Sequence, residues 1–313
     1  MPTEQAEYQE GARARKARTP LILIGAAAVV LAAALPRLSP GWTSVGPAQA
    51  RAISGLAVLG TTPVGVELLI VHDNKRAGEA RLASMTLGRD PHYTPLAWPA
   101  GSALPVDLEA ITALPGAPGQ FLVATSAGKV NVIGVQDGHV TALGAFTLPH
   151  LPPAATIEVL TVARINGVLV IAWGHRGAGL SRGRLYWGTF DPGARTIADV
   201  QSATVSVPYP NPIDPRTRHI SDLRIDPRGH LWSTATHDPG DNGPFASALY
   251  DLGVFRVSGS KVNFAMTTPL VPLETFSNKV EALELLNGGT TLVLGTDDEA
   301  AGGTVKVERI RQF

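Results

Sequence analysis

Three glutamates recur at one place in a repeated segment of this chain. Carboxylates gathered at a point can bind a cation, move a proton or hold a basic partner. They are Glu109, Glu158 and Glu281, each the second residue of a six-residue opening of the form apolar, small-or-acidic, any, Leu/Ile, any, apolar-or-small. Ser54 and Ser221 hold the same place in two further openings. Polar clusters follow one strand later: His72-Asp73-Asn74, Thr125-Ser126, Gly174-His175-Arg176, Thr236-His237-Asp238 and Thr296-Asp297-Asp298-Glu299. Acids brought together repel unless paired, protonated or bound to a cation. The nearby candidates for pairing are Lys75, Arg176, Arg218 and Lys279, with His72, His175, His219 and His237.

Two chemistries follow. A hard cation, Ca²⁺ or another divalent ion, would take oxygen ligands, for which Asp73, Glu109, Asp238, Asp241 and Asp297 are the candidates. Alternatively, Glu109, Glu158 or Glu281 with His175 or His237 could act as general acid and base. Ligand contacts are expected from His72, Asp73, Asn74, Asp107, Glu109, Arg176, Asp222, His237 and Asp238. Strand alternation sets Asp107 on the side of Glu109 and Asp222 one step out of phase. Each acid taken singly reads first as an ion pair or loop cap around a water-filled channel. Their recurrence in successive repeats is what points to a site. The longest polar excursion, His237 to Phe245, is rich in oxygen donors but lacks the spacing of an EF-hand loop.

Several chemistries are excluded or unsupported. Cysteine is absent, which removes thiolate nucleophiles, thiolate metal sites and disulfides. No phosphate-binding Gly-rich loop, Gly-x-Ser-x-Gly elbow or His-Glu-x-x-His helix occurs. The 26 basic and 26 acidic residues balance, so no global field favours nucleic acid. Trp98, Trp173, Trp187 and Trp232 fall in or near strands and read as packing residues.

The elements that must position these groups are short strands. The five openings (53–58, 108–113, 157–162, 220–225 and 280–285) are spaced by about 50 to 60 residues, near the length of one four-stranded propeller blade. Each precedes a turn and a second apolar strand, at 67–71, 121–124, 168–172, 231–235 and 291–295. Antiparallel pairing places the start of the first strand and the end of the second at one end of the sheet. The glutamates and polar clusters should therefore meet where the blades converge. The last repeat stops after its third strand, which leaves a sheet edge. The stretch from Trp42 to Ala50 is the available donor for a closing strand.

The fold expected is all-β, a β-propeller of about five four-stranded blades over residues 39–313, with an open antiparallel sandwich as the competitor. A hydrophobic export or anchor helix is expected before it. Arg13, Arg15, Lys16 and Arg18 precede an apolar run from Leu21 to Leu35, so residues 1–38 read as a basic flank plus signal peptide or membrane anchor. That makes the propeller extracytoplasmic, either secreted or held to the cytoplasmic membrane by residues about 20–35. A monomer is expected, taking a small-molecule or protein ligand at the central channel, with no nucleic acid.

The set Val71-His72-Asp73-Asn74-Lys75, Asp107-Leu108-Glu109-Ala110, Ser221-Asp222-Leu223, Asp238-Pro239-Gly240-Asp241 and Lys279-Val280-Glu281-Ala282-Leu283 resembles the bacterial phytase-like or esterase-like propellers over residues 50–313. That resemblance implies an extracytoplasmic propeller that binds calcium and hydrolyses phosphoesters. Three functions stand in order: ligand, cation or partner binding without turnover, metal-assisted phosphoester or ester hydrolysis, and glycoside hydrolysis by paired carboxylates. Fold alone does not choose among them, and whether the protein is an enzyme stays open at this level.

Overall fold

The computed structural model describes residues 41–46, 48–62, 65–88, 91–153, 155–210 and 213–310. The expected export or anchor segment and its basic flank lie outside the described residues. Among the described residues no helix is long and apolar enough to cross a membrane.

The chain is a propeller of five antiparallel blades. A short strand, β1 (Thr43–Gly46), comes first. Blade one is β2 (Gly55–Thr62), β3 (Gly65–Val71), β4 (Leu82–Gly88) and β5 (His92–Leu96); blade two is β6 (Leu108–Ala113), β7 (Gln120–Thr125), β8 (Lys129–Gln136) and β9 (His139–Thr147). Blade three is β10 (Ile157–Ile165), β11 (Val168–His175), β12 (Gly183–Asp191) and β13 (Thr196–Val205). Blade four is β14 (Thr217–Ile225), β15 (His230–His237), β16 (Ala246–Ser258) and β17 (Lys261–Met266), with β18 (Glu274–Phe276) paired to β16. Blade five is β19 (Val280–Leu286), β20 (Thr291–Thr296) and β21 (Gly303–Arg309), and β1 is its fourth strand.

The expected closing strand is thus in place. Thr43 pairs with Val305 and Ser44 with Thr304, so β1 covers the edge that β21 would otherwise expose. Trp42 meets the edge of Phe276 at 6.1 Å, fixing the chain before it enters the sheet.

Burial explains the sequence pattern of the blades. The inner strands β2, β6, β10, β14 and β19 touch in a closed ring, each against the next and β19 against β2. Both faces of such a strand are covered, so β10 is buried along nearly its whole length. The outermost strand β9 has solvent on its flank and is mostly exposed. Each junction between neighbouring blades holds its own apolar cluster. Ala110, Leu160 and Trp173 lie between blades two and three, and Leu223, Tyr250 and Trp187 between three and four. At the junction of blades five and one, a Cβ on Gly295 would come within 2.9 Å of both Ile53 and Leu56, so only glycine permits that approach.

Candidate functional site

A recurring irregularity aims the glutamates. In β6 the register passes from Leu108 opposite Thr125 to Ala110 opposite Ala124, leaving Glu109 unpaired. In β10 it passes from Ile157 opposite His175 to Val159 opposite Gly174, leaving out Glu158. In β19 it passes from Val280 opposite Thr296 to Ala282 opposite Gly295, leaving out Glu281. A bulge of this kind turns its extra residue away from the ladder. All three sit at the start of an inner strand, opposite the end of the second strand, and so share one mouth of the axis. The serines at the same place do something else. Ser54 Oγ accepts from the Asp73 N–H at 3.1 Å, and Ser221 Oγ bonds Thr236 Oγ1 at 2.9 Å. They brace strands and do not extend the acidic set.

The cations expected as partners are there. Lys279 Nζ lies 2.9 Å from Asp297, 2.5 Å from Glu299, 3.4 Å from Glu281 and 3.7 Å from Asp238. Arg176 Nε stands 3.3 Å from Glu158 and Arg218 Nη2 3.8 Å from Asp238. Lys75 Nζ is 2.8 Å from Asp107 and 3.9 Å from Asp73. Four cations therefore stand among eight carboxylates, Asp73, Asp107, Glu109, Glu158, Asp238, Glu281, Asp297 and Glu299, and pair with seven of them. Glu109 has no cation within ion-pair distance among the described residues.

This imbalance sets the protonation of the mouth. Burial, then the charges of Glu158, Asp107, Glu281 and Asp73, push the Glu109 carboxyl well above the usual range. Burial pushes Glu158 to about 7 against the pull of Arg176 and Lys279. Glu281 is raised by burial although Lys279 opposes it. Asp107 goes the other way: burial is overcome by hydrogen bonds from Lys75, Ser126 and Glu109, which hold it low. For Lys279, four surrounding acids outweigh burial and keep its ammonium charged. Glu109 thus holds its proton to higher pH than its neighbour Asp107, and Glu158 is poised between forms at neutral pH.

Six of the expected site residues lie at the edge of the mouth or away from it. His72 is fully buried, with Nδ1 2.6 Å from the Ala52 carbonyl and Nε2 2.9 Å from the Tyr93 hydroxyl. Burial lowers its pKa to about 4, so it is a neutral brace under blade one. Asn74 donates to the Ala50 and Ala80 carbonyls and holds the loop between β3 and β4. His237 Nε2 is engaged with Asp214 at 3.2 Å. Asp241 is exposed on its loop. His175 lies beside Arg176 at the edge of the mouth, and burial lowers its pKa. Of the expected metal ligands, Asp238 and Asp297 face the Lys279 ammonium, and no three His, Asp or Glu side chains among the described residues are arranged to hold a metal ion.

Asp222, the sixth, belongs to a plug below the mouth. Its Oδ1 accepts from Arg224 Nη1 at 3.2 Å, and its Oδ2 accepts from the Leu283 N–H of blade five at 2.7 Å. Arg224 crosses the axis: Nε lies 3.3 Å from Glu284, and Nη2 donates to the Leu56 carbonyl of blade one and, at 2.8 Å, to the Ile111 carbonyl of blade two. Burial raises Asp222 to about 7 against Arg224 and two backbone N–H groups. Arg224 and Glu284 were not among the expected site residues. Their signal was a charge at the fifth place of an opening, where three of the repeats carry Ala57, Thr112 and Thr161. The open channel expected from sequence is therefore a pit with a charged floor.

Beside the mouth, between blades three and four, a cleft of about 430 Å³ is lined by His175, Arg176, Arg218 and the proline-rich turn before β10.

Taken together the fold and this mouth define a closed five-bladed β-propeller with a buried acidic cluster at one end of its axis. No protein-family model matches the chain, and no curated protein matches it. Solved structures do. A GH43 endo-arabinanase from Bacillus licheniformis aligns over 87% of this chain and 98% of its own at a TM-score of 0.51 and 10% identity. A protein described as a glycoside hydrolase aligns over 86% of this chain and 62% of its own at a TM-score of 0.51 and 12% identity. At such identities the likeness is one of fold. It overturns the resemblance to phytase-like or esterase-like propellers: those short acidic motifs reflect blade geometry and ion pairing, and they do not mark that family.

Proposed function

We propose that the protein is a glycoside hydrolase whose carboxylates act at the mouth of the propeller. The observation that carries this reading is the set of three bulged glutamates, Glu109, Glu158 and Glu281, brought to one end of the axis in unequal environments. Hydrolysis of a glycosidic bond needs one carboxyl that is protonated and one that is not. Glu109 suits the acid, since burial and its acidic neighbours keep its proton on. It donates that proton to the leaving-group oxygen as the bond to the anomeric carbon breaks. Glu158 suits the base, because burial sets it near 7 and Arg176 stabilises its ionised form. It takes a proton from the water whose oxygen bonds the anomeric carbon. Glu281 and Lys279 set the local charge.

The floor made by Arg224 supports the same reading, since it confines a ligand to one side and excludes passage along the axis. The fold likeness to proteins described as glycoside hydrolases adds support of a general kind.

The test is release of reducing ends from arabinan, xylan and galactan oligosaccharides by the purified full chain. Glu109→Gln and Glu158→Gln should each lower turnover by about 10²–10⁴-fold. Absence of release from every glycan by folded protein would overturn the reading, as would activity that survives both substitutions.

A further inference from the structure

The cleft between blades three and four differs in charge from the mouth it adjoins. None of its lining residues is acidic, whereas His175, Arg176 and Arg218 contribute to its wall. The two guanidinium groups are under-used. Arg176 approaches Glu158 through Nε at 3.3 Å, and its terminal nitrogens have no hydrogen-bond partner among the described residues. Arg218 donates from Nη1 to the Pro215 carbonyl at 3.0 Å, keeps Nη2 3.8 Å from Asp238, and has a buried Nε without a partner. Burial, then the nearby charge of Arg176, lowers the pKa of Arg218 against the pull of Asp238, Glu158 and Glu281.

Free, forked donors on a wall without an acid suit a planar anion. Glu158 offsets part of the charge of Arg176 and Asp238 part of that of Arg218, so less than two charges are left for a ligand. That favours a monoanion over a phosphate dianion. Arg176 is shared: it lines the cleft and touches Glu158 at the mouth. A ligand bound by it lies next to the reacting carboxyl.

We infer that the cleft binds the carboxylate of a uronic acid unit, in a glycan whose neighbouring sugar lies at Glu158. This rests on the glycan reading of the mouth. The acidic mouth would repel a uronate placed at the axis, and the cationic cleft gives that charge a place to one side.

The experiment is calorimetric titration of the full chain with an α-1,4-linked galacturonic acid trimer and with the same trimer after carboxyl reduction. The acidic trimer should bind at least about ten-fold more tightly, the worth of one charge-assisted contact. Arg218→Gln should bring the ratio of the two affinities close to one. Ala155→Glu, which sets a competing carboxylate on the cleft wall from a half-buried loop position, should do the same without touching the arginines. Equal affinities in the unmodified protein, no binding of the acidic trimer, or a preference that survives Ala155→Glu would overturn the inference. The two readings fail separately. A folded protein that hydrolyses no glycan but keeps an Arg218-dependent preference sinks only the hydrolase. Hydrolysis of neutral glycans without a charge preference sinks only the cleft.

Discussion

Arg224 Nη1 lies 3.2 Å from Asp222 Oδ1, and the pair closes the propeller axis below the acidic mouth. Through it one guanidinium reaches blades one, two, four and five. Arg224→Met should leave the buried Asp222 and the half-buried Glu284 without a counter-charge and cost about 3–5 kcal/mol of stability. The triple variant Arg224→Met, Asp222→Asn, Glu284→Gln should recover a large part of that loss. Urea denaturation of the three proteins measures both, and a neutral single variant would refute the role of the plug.

Lys279 meets four acids, and its removal should be costly in a pH-dependent way. In Lys279→Met the carboxylates of Glu281, Asp297, Glu299 and Asp238 lose their shared counter-ion. Burial raises the Glu281 carboxyl, and its protonation relieves part of the repulsion, so the drop in melting temperature should be larger at pH 8 than at pH 5. A drop of the same size at both pH values would show that Lys279 acts through packing alone.

Glu109 should trade stability for function. Its ionised form is disfavoured by burial and by like charges, so Glu109→Gln removes a cost from the fold. A gain of about 1 kcal/mol would raise the melting temperature by roughly 2 °C in a domain of this size. The same variant should lose glycan turnover. A variant that melts lower and stays active would count against the assignment.

The pH dependence of stability has two opposed parts. Glu158 is raised to about 7 in the folded chain from an ordinary value of 4.5, so the native state holds its proton longer than the unfolded state. Its contribution is fully present below about 4.5 and is lost as pH rises through 7. His72 is lowered to about 4 from 6.5, so the unfolded state takes up its proton first. That contribution is present above 6.5 and is lost as pH falls through 4. In melting curves from pH 4 to 9, Glu158→Gln should remove a fall in stability between about pH 4.5 and 7, and His72→Gln a rise between about pH 4 and 6.5. A Glu158→Gln curve parallel to that of the unmodified protein would rule out the first.

Closure by β1 can be tested at Val45, which is buried in the apolar cluster between blades five and one. Val45→Asp would put an unpaired charge there and loosen the closing strand. Burial of an unpaired charge should lower stability by about 2 kcal/mol or more. It should also expose the edge of β21 and promote association, readable by light scattering. An unchanged melt would mean that β1 contributes little to closing the ring.

Much of the fold was legible because the blades repeat. The opening pattern recurs five times, and the residues that break it are few. The closing strand was legible too, since a blade of three strands leaves an edge that something must cover. The convergence of Glu109, Glu158 and Glu281 also followed from the repeat. What the repeat did not convey was partner choice. His72-Asp73-Asn74 reads as one polar cluster, yet His72 and Asn74 bond to the backbone around Ala50 to Ala52 while Asp73 faces the mouth. Neighbours on a strand point to opposite sides, and a cluster at a strand end divides between core and surface. The short motifs that suggested another family failed for a related reason. In this chain the acid-bearing strand starts serve bulges and ion pairs of the blades.

The sequence by itself pointed to about five blades, to the stretch that closes them and to three acids carried to one end. It could do so because strand periodicity and repeat length are local properties of the chain. Only the tertiary structure decided that Glu109 goes without a cation, that Lys279 serves four acids, and that Arg224 makes the channel a pit. Those outcomes depend on side chains that meet across blades from distant parts of the chain. A bulge of one residue is enough to change which of them face each other.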